Sequence, residues 1–223
     1  MNVAALVTGG KDSALALYRA LKQGYKVKYL VAMFPEREDS WMFHYPNVHM
    51  TELFAEAAEI PLIRGRTSGI KEKEVKDLKN LLASLDVEGV VSGAIASHYQ
   101  KTRIDKVCQQ LGLESIAPLW GESPEKLLNE LLELRFEVVI VGVYAMGFSQ
   151  EWLGRKINEE TVQELLKLRE KYGISPIGEG GEYESLVLDA PYFKRKIQIL
   201  ETEKVWKENQ GYLLVKKARL VWK

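Results

Sequence analysis

Over its first roughly 140 residues the chain alternates short apolar runs with amphipathic stretches, and this alternation narrows the fold more than any other feature. NVAALV (2–7), KVKYLVAMF (26–34), LIRG (62–65), GVVSGAI (89–95) and FEVVIVGVY (136–144) read as strands, the longer apolar ones buried on both faces. DSALALYRALKQ (12–23), TELFAEAAEI (51–60), KEKEVKDLKNLLASL (71–85), SHYQKTRIDKVCQQLG (97–112) and SPEKLLNELLEL (123–134) read as the helices between them. The stop signals agree. Gly24 and Gly112 follow their helices as C-caps, Pro61 ends another, and Ser123–Pro124 supplies an N-cap and a first helical residue. Strand and helix in alternation predict an open, mostly parallel sheet with helices on both faces. Ligands of such sheets bind beyond the carboxyl ends of the strands.

The texture changes after about residue 144. NEETVQELLKLREKYG (158–173) reads as a helix capped by Asn158, and GISPIGEGGEYESLVLDAP follows, rich in glycine and carboxylates. KIQILETEKVWK and GYLLVKKARLVWK read as two strands of a hairpin joined through Asn209-Gln210-Gly211. The expected organisation is a first domain over 1–144 and a smaller α+β domain over 145–223.

Lys+Arg and Asp+Glu each total 31, so no global basic field draws the chain to nucleic acid. The single cysteine, Cys108, excludes an internal disulfide and fits a reducing cytoplasm. It lies among apolar neighbours, unlike the nucleophile a glutaminase needs. His44 and His49 flank Pro46 without cysteine partners, so a zinc site is not expected there. No run approaches the ~18 apolar residues of a membrane span, and the N-terminus lacks a signal-peptide pattern, so no membrane role is expected. Homo-oligomerisation is left open.

The first strand ends at Thr8-Gly9-Gly10 and runs into Lys11-Asp12-Ser13 at a helix mouth. Helix N-termini present unpartnered amides and the positive end of the dipole, so they suit anions. Gly9 and Gly10 let backbone approach a phosphate, Lys11 adds charge and Ser13 a hydroxyl. Asp12 would repel a phosphate unless a cation stood between them, which points to Mg²⁺. The spacing is neither that of a Walker A loop nor G-x-G-x-x-G.

TGGKDS resembles the pyrophosphate loop of the N-type ATP pyrophosphatases, which cleave ATP between the α and β phosphates and adenylate a substrate. Together with SGAIASHYQKTRIDKVCQQLGLESIAPLWG (92–121), GFSQEWLGR (147–155) and GEGGEYESLVLDAP (178–191), it resembles the diphthine–ammonia ligase family in this order along nearly the whole chain. Thr8 stands where serine is commoner, and both carry a hydroxyl. The resemblance implies a sheet like that of the adenine nucleotide alpha hydrolases and amidation of a modified histidine on translation elongation factor 2. ATP, with Mg²⁺, would activate the carboxylate, and ammonium would supply nitrogen to give the amide, AMP and pyrophosphate.

On that resemblance Gly9, Gly10, Lys11, Asp12 and Ser13 hold the pyrophosphate part of ATP, with Asp12 on Mg²⁺. Val7, Thr8, Met33 and Gly93 border the nucleotide. Lys11, Asp12 and Arg103 are the expected catalytic residues. Tyr99 and Arg103, four apart on one helical face, would meet phosphate or substrate carboxylate; a solvated basic face is the plainer reading. Glu179, Gly180, Gly181, Glu182 and Glu184 are the expected substrate-binding residues. On an extended segment Glu182 and Glu184 face one way and Tyr183 the other. Those carboxylates suit Mg²⁺, a trimethylammonium group or ammonium, and the sequence does not divide these roles.

Two other readings use the same loop. A ligase of this type could amidate a small carboxylate or modify tRNA, although no basic stripe or cysteine pair favours tRNA. A non-catalytic ATP-binding sensor would need Asp12 less.

Overall fold

The computed structural model describes residues 1–35, 47–67 and 71–223. The strands β1 (Asn2–Leu6), β2 (Lys26–Pro35), β3 (Leu62–Thr67), β4 (Gly89–Val91) and β5 (Glu114–Ile116) form a parallel sheet in the order β3-β2-β1-β4-β5. The helices between them are α1 (Lys11–Lys22), α2 (Met50–Ala58), α3 (Lys71–Ala83) and α4 (His98–Leu111). Alternation along β1 divides the core. Ala4 packs with Leu82 of α3 and Val107 and Cys108 of α4, while Val3 and Ala5 face the layer of α1 and α2. Helices therefore cover both faces, as the alternation predicts.

Helix α5 (Pro124–Glu133) precedes β6 (Glu137–Val143), and α6 (Glu159–Tyr172) leads to β7 (Tyr183–Asp189), β8 (Arg195–Lys207) and β9 (Gln210–Trp222). The last four strands form an antiparallel sheet in the order β7-β6-β9-β8. The apolar run 136–144 thus leaves the parallel sheet in which the alternation sets it. Its strand pairs with β7 and β9, and the parallel sheet ends at β5. A doubly buried strand reads alike in either sheet, so periodicity carries no information about its partners. A division at 144 therefore separates β6 from the strands it pairs with.

Other differences are local. β4 stops at Val91, two residues before Gly93, and the three-residue edge strand β5 carries too short a pattern to read. The β8–β9 turn is Glu208–Asn209, with Gln210 and Gly211 already in β9 and Glu208 at φ 57°. Ser123 and Asn158 cap α5 and α6 as expected, accepting from the amides of Lys126 and Thr161 at 3.2 and 2.9 Å.

The layer of α1 and α2 is shared by the two sheets. Phe54 of α2 meets Phe193 edge-on at 4.9 Å, the Tyr192 hydroxyl donates to Ala14 O at 3.1 Å, and Lys194 N donates to Ala57 O at 2.7 Å. One apolar core, from Val3 through Leu17 and Phe54 to Val143 and Leu186, joins both sheets. None of the described helices is long and apolar enough to cross a membrane.

Candidate active site

Strand order reverses direction between β1 and β4: β2 and β3 lie on one side of β1, and β4 and β5 on the other. The helices that follow β1 and β4 cover opposite faces, which opens a crevice at the carboxyl ends of these two strands. Loop 8–13 lies there.

The loop holds its own shape. Gly9 has φ 84°, a conformation costly for any residue with a Cβ. Thr8 Oγ1 accepts from Gly10 N at 3.3 Å, and Ser13 Oγ accepts from Thr8 N at 3.3 Å while donating to Gly10 O at 3.1 Å. Ser13 is buried, and its hydroxyl braces the loop. Gly10 is the N-cap of α1, with no side-chain cap of its own. Gly93 packs against this first turn: a Cβ there would lie 2.8 Å from Ser13 N and 2.9 Å from Asp12 C. This closeness of the β4–α4 loop to α1 is a second demand on Gly93, beside the expected approach to the nucleotide.

Lys11 is buried to 2% exposure. Its Nζ donates to Asp12 Oδ2 at 3.1 Å and lies 4.8 Å from the centre of the Tyr183 ring. The Tyr183 hydroxyl donates to Pro176 O at 2.8 Å, and Gly178 makes room for the ring, because a Cβ there would lie 2.9 Å from it. Burial raises the Asp12 carboxyl above its ordinary pKa, against the pull of Lys11 and with a smaller push from Glu179. The Asp12 side chain is partly exposed, whereas its partner Lys11 is buried.

The carboxylates of the glycine-rich loop separate. Glu179 Oε1 accepts from the amides of Ala96 and Ser97, the latter at 2.6 Å, just ahead of α4. It serves as an anionic cap of that helix. Glu182 Oε1 accepts from Ser175 N at 2.9 Å, and its Oε2 is buried with no partner among the described residues. Gly180 is needed beside it, since a Cβ would lie 2.7 Å from Glu182 Oε1. Gly181 supplies the left-handed turn, at φ 82°. Glu184 stands opposite Gly142 of β6 and receives the Tyr144 hydroxyl at 3.4 Å. Burial raises its pKa from 4.5 to about 7, with the Tyr144 hydrogen bond pulling the other way. Tyr183 faces Lys11, away from Glu184, as strand alternation predicts.

Tyr99 and Arg103 stack on the first two turns of α4, with the guanidinium carbon 3.3 Å from the ring centre. Lys101 pairs with Asp105 at 2.5 Å, and His98 meets Trp120 edge-on at 5.1 Å. Val7 is tied to β2 by its amide on Val31 O at 2.9 Å. Met33 packs its thioether over Gly65, beside Leu81 of α3, so its side chain lies on the face away from α1. Cys108 is core, and burial raises its thiol pKa. His49 Nε2 lies 2.9 Å from Val215 O, and His44 is outside the described residues. No group of three or more His, Cys, Asp or Glu with metal-site geometry occurs among the described residues.

Three contacts carried no local signal. Ser185 Oγ accepts from Lys11 N at 3.2 Å across 174 residues, the Tyr183 ring lies against Lys11, and Tyr144 reaches Glu184 through the pairing of β6 and β7.

Fold and loop together make an α/β protein with a glycine-capped helix end at the reversal of its strand order. The Diphthamide synthase N-terminal domain matches residues 1–115, and the Diphthamide synthase C-terminal domain matches 123–221. The chain is 36% identical to a diphthine–ammonia ligase of Rattus norvegicus, over 99% of this chain and 91% of that one. It is 35% identical to the Homo sapiens protein of that name, over 92% and 85%. A longer Schizosaccharomyces pombe protein of the same name is 36% identical over 92% of this chain and 37% of its own length. A solved structure titled as a predicted subunit of tRNA methyltransferase from Methanocaldococcus jannaschii is 17% identical, with a TM-score of 0.47 over 85% of this chain and 97% of that one. The chain belongs to the diphthamide synthase family.

Proposed function

We propose that this chain is an AMP-forming ligase that uses ATP and ammonium to amidate diphthine on translation elongation factor 2, acting in the cytoplasm. The observation that carries the reading is the glycine N-cap of α1 beside Lys11 and Asp12, in a chain whose relatives are named diphthine–ammonia ligase. The loop fits a polyphosphate: it offers glycine backbone, a helix N-terminus and a buried ammonium at one point. It also fits Mg²⁺, which takes one or two carboxylates and completes its shell with phosphate and water, and Asp12 is partly exposed for that purpose. When bound, the ion would offset charge on the departing pyrophosphate.

In the proposed reaction a diphthine carboxylate oxygen attacks the α-phosphorus of ATP, and the bond to the β-phosphate oxygen breaks. Gly9, Gly10, Lys11, Asp12 and Ser13 form the pyrophosphate loop, with Lys11 stabilising the leaving charge. Val7, Thr8, Met33 and Gly93 border the nucleotide, and Tyr99 with Arg103 face the phosphate or the carboxylate. Ammonia, after ammonium loses a proton, attacks the acyl carbon, and AMP leaves. The segment from Glu179 to Glu184, including Gly180 and Gly181, forms the substrate side. The unpartnered Glu182 Oε2 favours a cation there, either the trimethylammonium of diphthine or ammonium itself. In this division the nucleotide half is followed by a substrate half that begins ahead of β6.

The test is one reaction series with ATP, Mg²⁺, ammonium and elongation factor 2 carrying diphthine. AMP together with the mass loss of about one dalton from OH to NH₂ is the expected result. AMP without the mass change would point to an acyl-adenylate that hydrolyses. Bound ATP with no AMP would overturn the diphthine assignment and leave small carboxylates to be tried.

A further inference from the structure

Helices of this length ordinarily receive a Ser, Thr, Asp or Asn oxygen at the N-cap. Helix α1 has glycine there, and the oxygen comes from elsewhere: Ser185 Oγ, on β7 of the antiparallel sheet, accepts from Lys11 N at 3.2 Å. The approach is built rather than incidental. Val187 N donates to Gly9 O at 2.9 Å, fixing the edge of β7 against the loop, and Ser185 is held in register opposite Ile140 of β6. A Cβ on Gly10 would lie 3.3 Å from Ser185 O and 3.6 Å from Ser185 Oγ. Gly10 therefore serves this approach as well as any ligand.

A serine hydroxyl has two lone pairs and one hydrogen. The Lys11 amide occupies a lone pair, so the hydrogen is left for an acceptor. Ser13 spends its hydrogen on Gly10 O, and Thr8, which accepts from Gly10 N, lies 3.5 Å from Ser13 Oγ, where its own hydrogen can go. Ser185 is half-buried, so it keeps access to the crevice.

We propose that Ser185 is part of the pyrophosphate site: it holds the Lys11 amide and donates its hydroxyl hydrogen to a phosphoryl oxygen lying over the loop. The site is then assembled from both sheets, and the strand that carries the proposed substrate residue Glu184 also completes the nucleotide end. This inference rests on the reading of loop 8–13 as a polyphosphate site.

Calorimetric titration of the full chain with magnesium pyrophosphate and, separately, with AMP tests it. Ser185→Ala should bind pyrophosphate about tenfold more weakly, the worth of one hydrogen bond to a charged acceptor, while AMP affinity is unchanged. Ser185→Thr, which keeps the hydroxyl, should recover most of the loss. Unchanged pyrophosphate affinity in Ser185→Ala would overturn the proposal. Equal weakening of AMP and pyrophosphate would also overturn it, because that is what loss of a purely structural cap would give. A wild-type chain that binds no pyrophosphate would overturn both this inference and the polyphosphate reading beneath it.

Discussion

Loop 8–13 and loop 174–184 are both glycine-bearing turns, and they are stabilised in different ways. In the first, Thr8, Gly10 and Ser13 bond one another within five residues. In the second, Glu179 reaches amides 82 and 83 residues away, Tyr183 lies against Lys11, and Glu184 meets Tyr144 forty residues upstream. Within the loop Glu182 bonds Ser175 N, and the Tyr183 hydroxyl bonds Pro176 O. A locally braced turn keeps its geometry wherever the chain puts it. An externally held turn takes its geometry from its neighbours, so its charges acquire roles that spacing does not announce.

The largest effect should come from the self-braced loop. Asp12→Ala or Lys11→Ala should lower AMP formation by on the order of 10²–10³-fold with the fold retained by circular dichroism. Wild-type turnover in Asp12→Ala would remove the metal role from that carboxylate.

Glu179 sharpens the contrast. Glu179→Ala leaves two amides ahead of α4 without their acceptor, and amidation should fall roughly 10-fold or more. Glu179→Gln keeps the accepting oxygen and should recover much of that. Hydrogen exchange at Ala96 and Ser97 should quicken in the alanine variant alone. If ATP affinity falls as far as amidation does, the two loops are not separable and the comparison breaks.

Gly93→Ala tests whether the first loop is as self-sufficient as it looks. Its Cβ would lie 2.8 Å from Ser13 N, so overpacking should cost about 1–3 kcal/mol. For a chain of this size that lowers the thermal midpoint by roughly 2–12 °C. An unchanged midpoint would mean that α1 shifts freely away from β4.

The smallest effect is one of pH. Glu184 holds its proton more tightly folded than unfolded, with a pKa near 7 against an ordinary 4.5. Its contribution to stability is complete below 4.5 and is lost as pH rises through about 7. The midpoint of wild type relative to Glu184→Gln should therefore decline across that window. A flat difference would mean that Glu184 is solvated.

The parallel sheet was legible because strand and helix periods are local, and so was the glycine-bearing turn into α1, whose residues sit within six positions. The place of β6 was not, since an apolar strand looks the same in either sheet. Nor was the packing of Gly93 on the first turn of α1, a contact across 80 residues. Glu179, Glu182 and Glu184 were found as a group, but a cluster in sequence gives composition, not partners.

Sequence alone determined the α/β alternation, the caps at Gly112, Ser123 and Asn158 and the grouping of glycines and charges at Thr8–Ser13, because those depend on neighbours along the chain. Tertiary structure decided the antiparallel sheet with β6 in it, the separation of three neighbouring glutamates onto three partners, and the placement of Tyr183 and Ser185 against Lys11. The physical reason is that side-chain periodicity specifies which face of an element is buried, whereas strand pairing and long-range hydrogen bonds specify what it is buried against.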